Sequence, residues 1–260
     1  MPFPKRSRDL SSNCSIGEFL TIGRTINAVL CKMPALRLMQ ISILLPTRKR
    51  FTSLRASIQS LRATCERADL EFMLAVDEDD DETLAKLKAE PIPGTQLHVT
   101  PRYGYIGLHL YVNELSRMAG GDWLFLWNDD ALMKTQAWDT VIEPFSNQMV
   151  VLNPETNHHN HPRSNCIFPI VPKALVSLLG HFSRSNHNDT YIEVIANSLG
   201  IRRDVPITIL HDRADLTGSN RDEVFAQRQF TTAEFYGAEM QASLQRDIDQ
   251  LRQFLKEQAR

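Results

Sequence analysis

Two groups of carboxylates stand where a folded chain could put them to chemical use. Asp77 opens the run DEDDDE at 77–82, directly after the apolar stretch 72–76, and Asp129 and Asp130 close the apolar run Trp123–Trp127. Carboxylates gathered at the ends of buried strands repel one another unless positive charge is bound. A hard divalent cation such as Mg2+ or Mn2+, together with a diphosphate, meets that need. DEDDDE taken alone also fits a solvated loop. The adjacent acids of WNDDAL are harder to place without a ligand, because burying unpaired charge is costly. His158, His159 and His161 in NHHNHPR suggest zinc, but they lack an i, i+4 helical pair, a neighbouring Glu and cysteine partners, and read as a polar loop. The chain has no GxSxG elbow, no GxxxxGK[ST] loop and no GxGxxG after its first strand, which speaks against a serine hydrolase, a kinase and a dehydrogenase.

The elements that must position these acids alternate between strand and helix from residue 40 onward, the pattern of an α/β fold. Strands are expected at Gln40–Leu45, Glu71–Val76, Gln96–Thr100, Asp122–Trp127 and Met149–Asn153. Helices are expected at 51–68, where Leu54, Ile58 and Leu61 share a face, at Thr83–Glu90 and at Gly107–Ala119. Sheets of this kind bind ligands at the carboxyl ends of their strands, which is where the acids lie. Toward the end, Thr231 and Glu234 form a capping-box pattern. Met240, Leu244, Ile248, Leu251 and Leu255 follow as one stripe of a long amphipathic helix, which packs on its own domain or forms a homodimer seam.

The 260 residues suit one globular domain with appendages, and the net charge of −2 offers no general field for nucleic acid or an anionic membrane. The first 39 residues are basic and interrupted by Glu18 and Arg24, which reads as a dispensable extension; 40–220 reads as the catalytic domain and 221–260 as a C-terminal helical segment. Four widely spaced cysteines without a CxxC pair, and no apolar run near the roughly 20 residues of a membrane helix, point to a cytoplasmic setting.

The order of these motifs over about residues 40–213 resembles the GT-A glycosyltransferases, in particular the large inverting family 2 that uses nucleotide-diphosphate sugars. ISILLPTRKR is similar to that family's opening strand and turn, so the resemblance places Pro46, Thr47 and Arg48 beside the nucleotide. FMLAVDEDDDET is similar to its second strand and VDDGSxDxT loop, one residue shorter and without Gly-Ser, and assigns Asp77 to the base. GYIGLHLYVNELSRMAGGDWLFLWNDDALM keeps the family spacing from Gly107 to Asn113 and on to Gly121. Gly107, Asn113 and Asp129 are thereby implied at the nucleotide sugar, with helix packing and capping as the alternative for the first two. Asn128 and Asp130 are implied as metal ligands of a DxD-like motif, Asn128 coordinating through an uncharged carbonyl.

HNDTYIEVIANSLG resembles the acceptor-site helix, with Asn188 in place of the family's Glu and Asp189 retained. Asp189 is then the general base on the acceptor hydroxyl, and it also suits a helix N-cap. VPITILHDR resembles the returning strand, whose His211 completes the metal site or is simply a polar strand end. The fold implied is a GT-A, Rossmann-like α/β fold: a mostly parallel sheet flanked by helices, with the long C-terminal helix added. The activity implied is transfer of a sugar from a nucleotide-diphosphate donor to an acceptor hydroxyl, with inversion and Mn2+ or Mg2+. The acceptor is left open among polysaccharide, lipid, protein and modified nucleic acid. A nucleotidyltransferase on a similar sheet, and a binding protein that has kept the fold without turnover, are the rivals.

Overall fold

The central strands are apolar on both sides, with Ser42 of β1 an exception, because both faces of the sheet are covered. A computed structural model describes residues 38–158, 165–219 and 235–258. From Leu38 onward they belong to one compact unit. The chain runs β1 (Gln40–Thr47), α1 (Phe51–Thr64), β2 (Asp69–Asp77), α2 (Asp81–Ala89), β3 (Thr95–Thr100), α3 (Leu108–Met118), β4 (Trp123–Leu126) and β5 (Ala131–Met133). Two short 3-10 turns lead to β6 (Val151–Thr156), β7 (Ile170–Pro172), α4 (Lys173–Leu179), α5 (Asn188–Leu199), β8 (Arg202–His211), α6 (Ala214–Thr217) and α7 (Ala238–Gln258).

The strands form one sheet in the order β3-β2-β1-β4-β7-β6-β8-β5. It is mostly parallel: β3, β2, β1 and β4 form a parallel half, β6 pairs parallel with β8, and antiparallel pairs join β4 to β7, β7 to β6 and β8 to β5. Alternation sends Ile41, Ile43 and Leu45 of β1 and Trp123, Phe125 and Trp127 at β4 to one face, against Leu54, Ile58 and Leu61 of α1. Leu44, Leu124 and Leu126 point to the other face, against Val112 and Leu115 of α3 and Leu175 of α4. Trp123 and Trp127 are therefore core residues, 1% and 0% exposed.

Several expected bounds shift for physical reasons. The first helix stops at Thr64 rather than 68, because Asp139 accepts the backbone N–H groups of Glu66, Arg67 and Ala68 at 2.7–2.8 Å and holds them in a bend outside the helix. The second begins at Asp81, since Asp80 caps it by accepting from Thr83 N at 3.2 Å. β5 and β7, of three residues each, and α4 had no expectation attached to them.

The C-terminal stripe is taken up within the chain. Leu244, Ile248 and Leu251 are buried in the same cluster as Tyr191, Ile192 and Ile195 of α5 and Leu175 and Leu179 of α4, with Met240 and Leu255 packed alongside. Of the two uses expected for this stripe, the structure shows packing on its own domain, with the buried face of α7 covered by α5 and α4. The capping-box pair Thr231 and Glu234, the extension up to Arg37, and His159 and His161 lie outside the described residues.

Candidate active site

The chain enters β1 beside β2, and after β3 and α3 crosses back to add β4 on the other side of β1. That reversal places a crevice at the carboxyl ends of β1 and β4, the usual ligand position in such sheets. The β1–β2 register ends with Thr47 beside Val76, and the β1–β4 register ends with Leu44 beside Leu126. Asp77 and Asp129 thus emerge on opposite sides of the turn Thr47–Arg50.

That turn joins the two acidic groups. Thr47 Oγ1 donates to Asp129 Oδ2 at 2.7 Å, and Arg48 Nη1 meets Asp77 Oδ2 at 2.9 Å and Asp79 Oδ1 at 2.5 Å. Arg50 Nη1 lies 3.2 Å from both Asp129 Oδ1 and Asp130 Oδ2. Lys49, between the arginines, takes the left-handed backbone conformation with φ of 54°. Its N–H donates to Asp80 Oδ2 at 2.8 Å and to Thr83 Oγ1 at 3.1 Å. Asp80, 1% exposed, therefore braces the turn and caps α2 rather than meeting a ligand. Pro46 lies within β1, one residue before the turn, pairing in register with Ala75.

Asp77 is nearly buried and receives the hydroxyl of Tyr111, which itself accepts from the backbone N–H groups of Tyr103 and Gly104. Burial, and then the hydrogen bond to Asp77, raise the Tyr111 hydroxyl above its ordinary pKa and keep it a neutral donor. A carboxylate has about four lone-pair positions, and Arg48 and Tyr111 use two at Asp77, leaving room for a ligand N–H.

Asn128, Asp130 and His211 meet at the ends of β4 and β8. His211 Nε2 lies 3.2 Å from Asp130 Oδ1 and 3.3 Å from Asn128 Nδ2. They are adjacent because β5 pairs antiparallel with β8, Ala131 opposite His211, with Asp212 N donating to Asp130 O at 2.7 Å. Asn157 braces His211 from both sides, accepting from its N–H at 2.8 Å and donating to its carbonyl at 3.2 Å. Phe168 packs edge-on against the imidazole. Burial, and then the charge of Asp130, raise the pKa of Asp129. Burial would do the same to Asp130, but the hydrogen bond and charge of His211, and then Arg50, bring it below the ordinary carboxylate value.

A carboxylate, an amide and an imidazole fit a divalent cation if the amide of Asn128 turns its oxygen inward. Among the described residues no group of three or more His, Cys, Asp and Glu makes a metal cage without that amide. Arg213 pairs with Asp215 at 2.5 Å, and Asp212 accepts from Thr217 Oγ1 at 2.6 Å.

Two residues expected at the sugar have other partners. A Cβ on Gly107 would come within 2.6 Å of Tyr103 Cβ, so the glycine admits the close approach of the 103–107 turn to the start of α3. Asn113 accepts from the backbone N–H groups of Phe182 and Ser183 at 2.8 and 3.1 Å and donates to Ser183 O at 2.7 Å. Its amide is engaged by the loop entering α5, the structural role that stood as the alternative to a place at the nucleotide sugar. Asp189 sits in the first turn of α5, where it accepts from Thr190 N at 2.8 Å; the N-cap position belongs to His187. Asn188 is buried, and its Oδ1 has no hydrogen-bond partner among the described residues.

Sequence reasoning overlooked Arg50, Tyr111 and Asp247. Asp247 of α7 is 2% exposed and receives the Tyr191 hydroxyl, with Arg184 at 3.3 Å and His181 Nε2 at 3.0 Å. No spacing rule marks these three, since each meets its partners only through the tertiary fold.

The pattern of the family described as Glycosyl transferase family 2 matches residues 42–195. No curated protein matches the chain. Among solved structures, S. aureus TarS 1-349 in complex with UDP-GlcNAc is 15% identical at a TM-score of 0.57, with 80% of this chain and 66% of that chain covered. The chain therefore spans just under two thirds of that relative. Mannosyltransferase PcManGT from Pyrobaculum calidifontis, in complex with GDP-Man and Mn2+, is 12% identical at a TM-score of 0.54, covering 90% of this chain and 76% of that one. At such identities the likeness is one of fold, and the fold is GT-A. Among the described residues no helix is long and apolar enough to cross a membrane.

Proposed function

The chain belongs to glycosyl transferase family 2, and from that premise we propose that it moves a sugar from a nucleoside-diphosphate sugar to an acceptor hydroxyl, with inversion and with the help of a divalent cation. The observation that carries this reading is the convergence of Asn128, Asp130 and His211 beside the Thr47–Arg50 turn. Thr47, Arg48 and Asp77 seat the nucleotide, with Pro46 setting the strand end before them. Asn128, Asp130 and His211 would hold Mn2+ or Mg2+, and an imidazole among oxygen donors favours the first-row ion. When bound, the cation supplies positive charge to the departing diphosphate.

Asp189 takes the proton from the acceptor hydroxyl as the new glycosidic bond forms on the face opposite the leaving group. Asp129 is held by Thr47 and Arg50, and its part is to fix the turn against the strand end. A cytoplasmic setting belongs to the same proposal and accords with Cys65 and Cys166 being free thiols.

The test is calorimetric titration with UDP and GDP, with Mn2+ and with chelator, followed by product analysis with UDP-GlcNAc and GDP-Man as the first donors. Metal-dependent binding of one diphosphate, and release of that diphosphate on incubation with its sugar conjugate and an acceptor, are expected. Absence of binding to either diphosphate in both conditions overturns the assignment. The buried, uncharged Asn188 at the family's Glu position favours one second reading, a protein that binds the donor without transferring it; binding without product formation would select it.

A further inference from the structure

The Asp129–Asp130 pair already has a cation supplied by the chain. Arg50 Nη1 touches one oxygen of each carboxylate at 3.2 Å, and its side chain is only 10% exposed. At 3.2 Å each of these two contacts is longer than the about 2.7–2.9 Å of a charge-assisted hydrogen bond. The two contacts offset the charge of both carboxylates. Asp129 is fixed independently, since Thr47 donates to its other oxygen at 2.7 Å.

The charges set the order of events. A divalent cation arriving alone at the two carboxylates meets the positive charge of Arg50, which already lies against both of them, and is repelled by it. Arriving with a diphosphate, it brings anionic oxygens to which the guanidinium can turn. We propose that Arg50 is the built-in counter-ion of the Asp129–Asp130 pair: it shields the carboxylates from a free divalent cation and leaves them for the diphosphate, so that cation and nucleotide enter together. The second half of this statement rests on the nucleotide reading given above; the first half does not.

The experiment measures binding of Mn2+ alone to the full chain through the paramagnetic resonance signal of the free ion, for wild type, Arg50→Met and Arg50→Lys. Arg50→Met should bind Mn2+ about tenfold or more tightly than wild type, the worth of one hydrogen bond to a charged group. Arg50→Lys, which keeps a point charge, should fall between them. Adding Asp130→Asn to Arg50→Met should abolish the gain.

Arg50→Met leaves two buried acids without their guanidinium, so its thermal midpoint should be lowered in chelator and recover with Mn2+. With Mn2+ present, Arg50→Met should bind UDP and GDP about tenfold more weakly than wild type. If Arg50→Met does not fold, the comparison of Arg50→Lys with wild type decides. Equal Mn2+ affinity across the folded proteins overturns the counter-ion role, whatever the diphosphates do. A gain in Mn2+ affinity without diphosphate binding by any of them upholds that role and overturns the nucleotide reading instead.

Discussion

Asp80 accepts a hydrogen bond from the backbone N–H of Lys49 at 2.8 Å, and by this contact the acidic loop after β2 holds the basic turn after β1. A lysine at φ of 54° is in a region that side chains disfavour, and it persists when its surroundings over-determine it. The carboxylate that holds it also caps α2, so one buried side chain serves a helix and a loop at once.

Replacing Asp80 by Ala should therefore cost about 2–3 kcal/mol, the sum of a lost N-cap and a buried backbone donor left unpaired. A urea unfolding curve measures this as a lower midpoint at unchanged slope. Diphosphate affinity should fall as well, because Thr47, Arg48 and Arg50 lose their frame. Unchanged affinity would show that the turn holds its shape without Asp80.

Asn113→Ala separates a structural role from a binding one. Three hydrogen bonds to the 182–183 backbone are removed, and about 2–4 kcal/mol of stability should go with them, since buried N–H groups are left without acceptors. Diphosphate affinity of the folded variant should stay within about twofold of wild type, a shift below the tenfold that 1.4 kcal/mol would produce. A large loss of affinity with intact stability would return Asn113 to the sugar site.

Asp130 and Asp189 should fail in different ways. Asp130→Asn should abolish metal-dependent diphosphate binding and lower transfer by about 10²–10³, the usual loss when one stabiliser of the leaving charge is removed. Asp189→Asn should leave diphosphate binding intact and lower turnover by about 10²–10⁴, as for a missing general base. Binding calorimetry beside turnover on the two variants distinguishes them, and weakened donor binding in Asp189→Asn would count against its role as base.

Asp247 gives stability a defined pH dependence. Burial alone would raise its carboxyl, but His181, Tyr191 and Arg184 hydrogen-bond the charged form and bring its pKa down to about 2. A folded pKa below the unfolded one stabilises above the unfolded value and loses that contribution as pH falls through the folded value. About 1–2 kcal/mol present at pH 7 should therefore drain away between about pH 4 and pH 2. Urea midpoints of wild type and Asp247→Asn at pH 7, 4 and 3 should converge as the acid end is approached; a constant gap would rule the carboxylate charge out as its source.

How much of this was legible beforehand differs from residue to residue. The strands β1, β2 and β4 and the helices α1 and α3 follow from apolar spacing, because a segment buried on one or both faces must carry its periodicity in the chain itself. Asp77, Asp129 and Asp130 stand out for the same reason, as charges that interrupt apolar runs at strand ends. The stripe on α7 is equally plain in the sequence, yet whether it faces its own chain or a second copy is decided only when Leu244, Ile248 and Leu251 meet α5 and α4.

The partners of the polar residues belong wholly to the tertiary structure. Arg50 reaches Asp129 across 79 positions, and Asn128 reaches His211 across 83, through a sheet order that local propensity does not encode. The three-residue strand β5, which pairs with β8 opposite His211, is too short to show a period. In the sequence Asn113 and Asp139 are single polar residues in amphipathic surroundings, and Asp80 is one acid in a run of six. Each is assigned its work by unpaired backbone groups brought to it from elsewhere in the fold, because a buried N–H must find an acceptor wherever the packing leaves it.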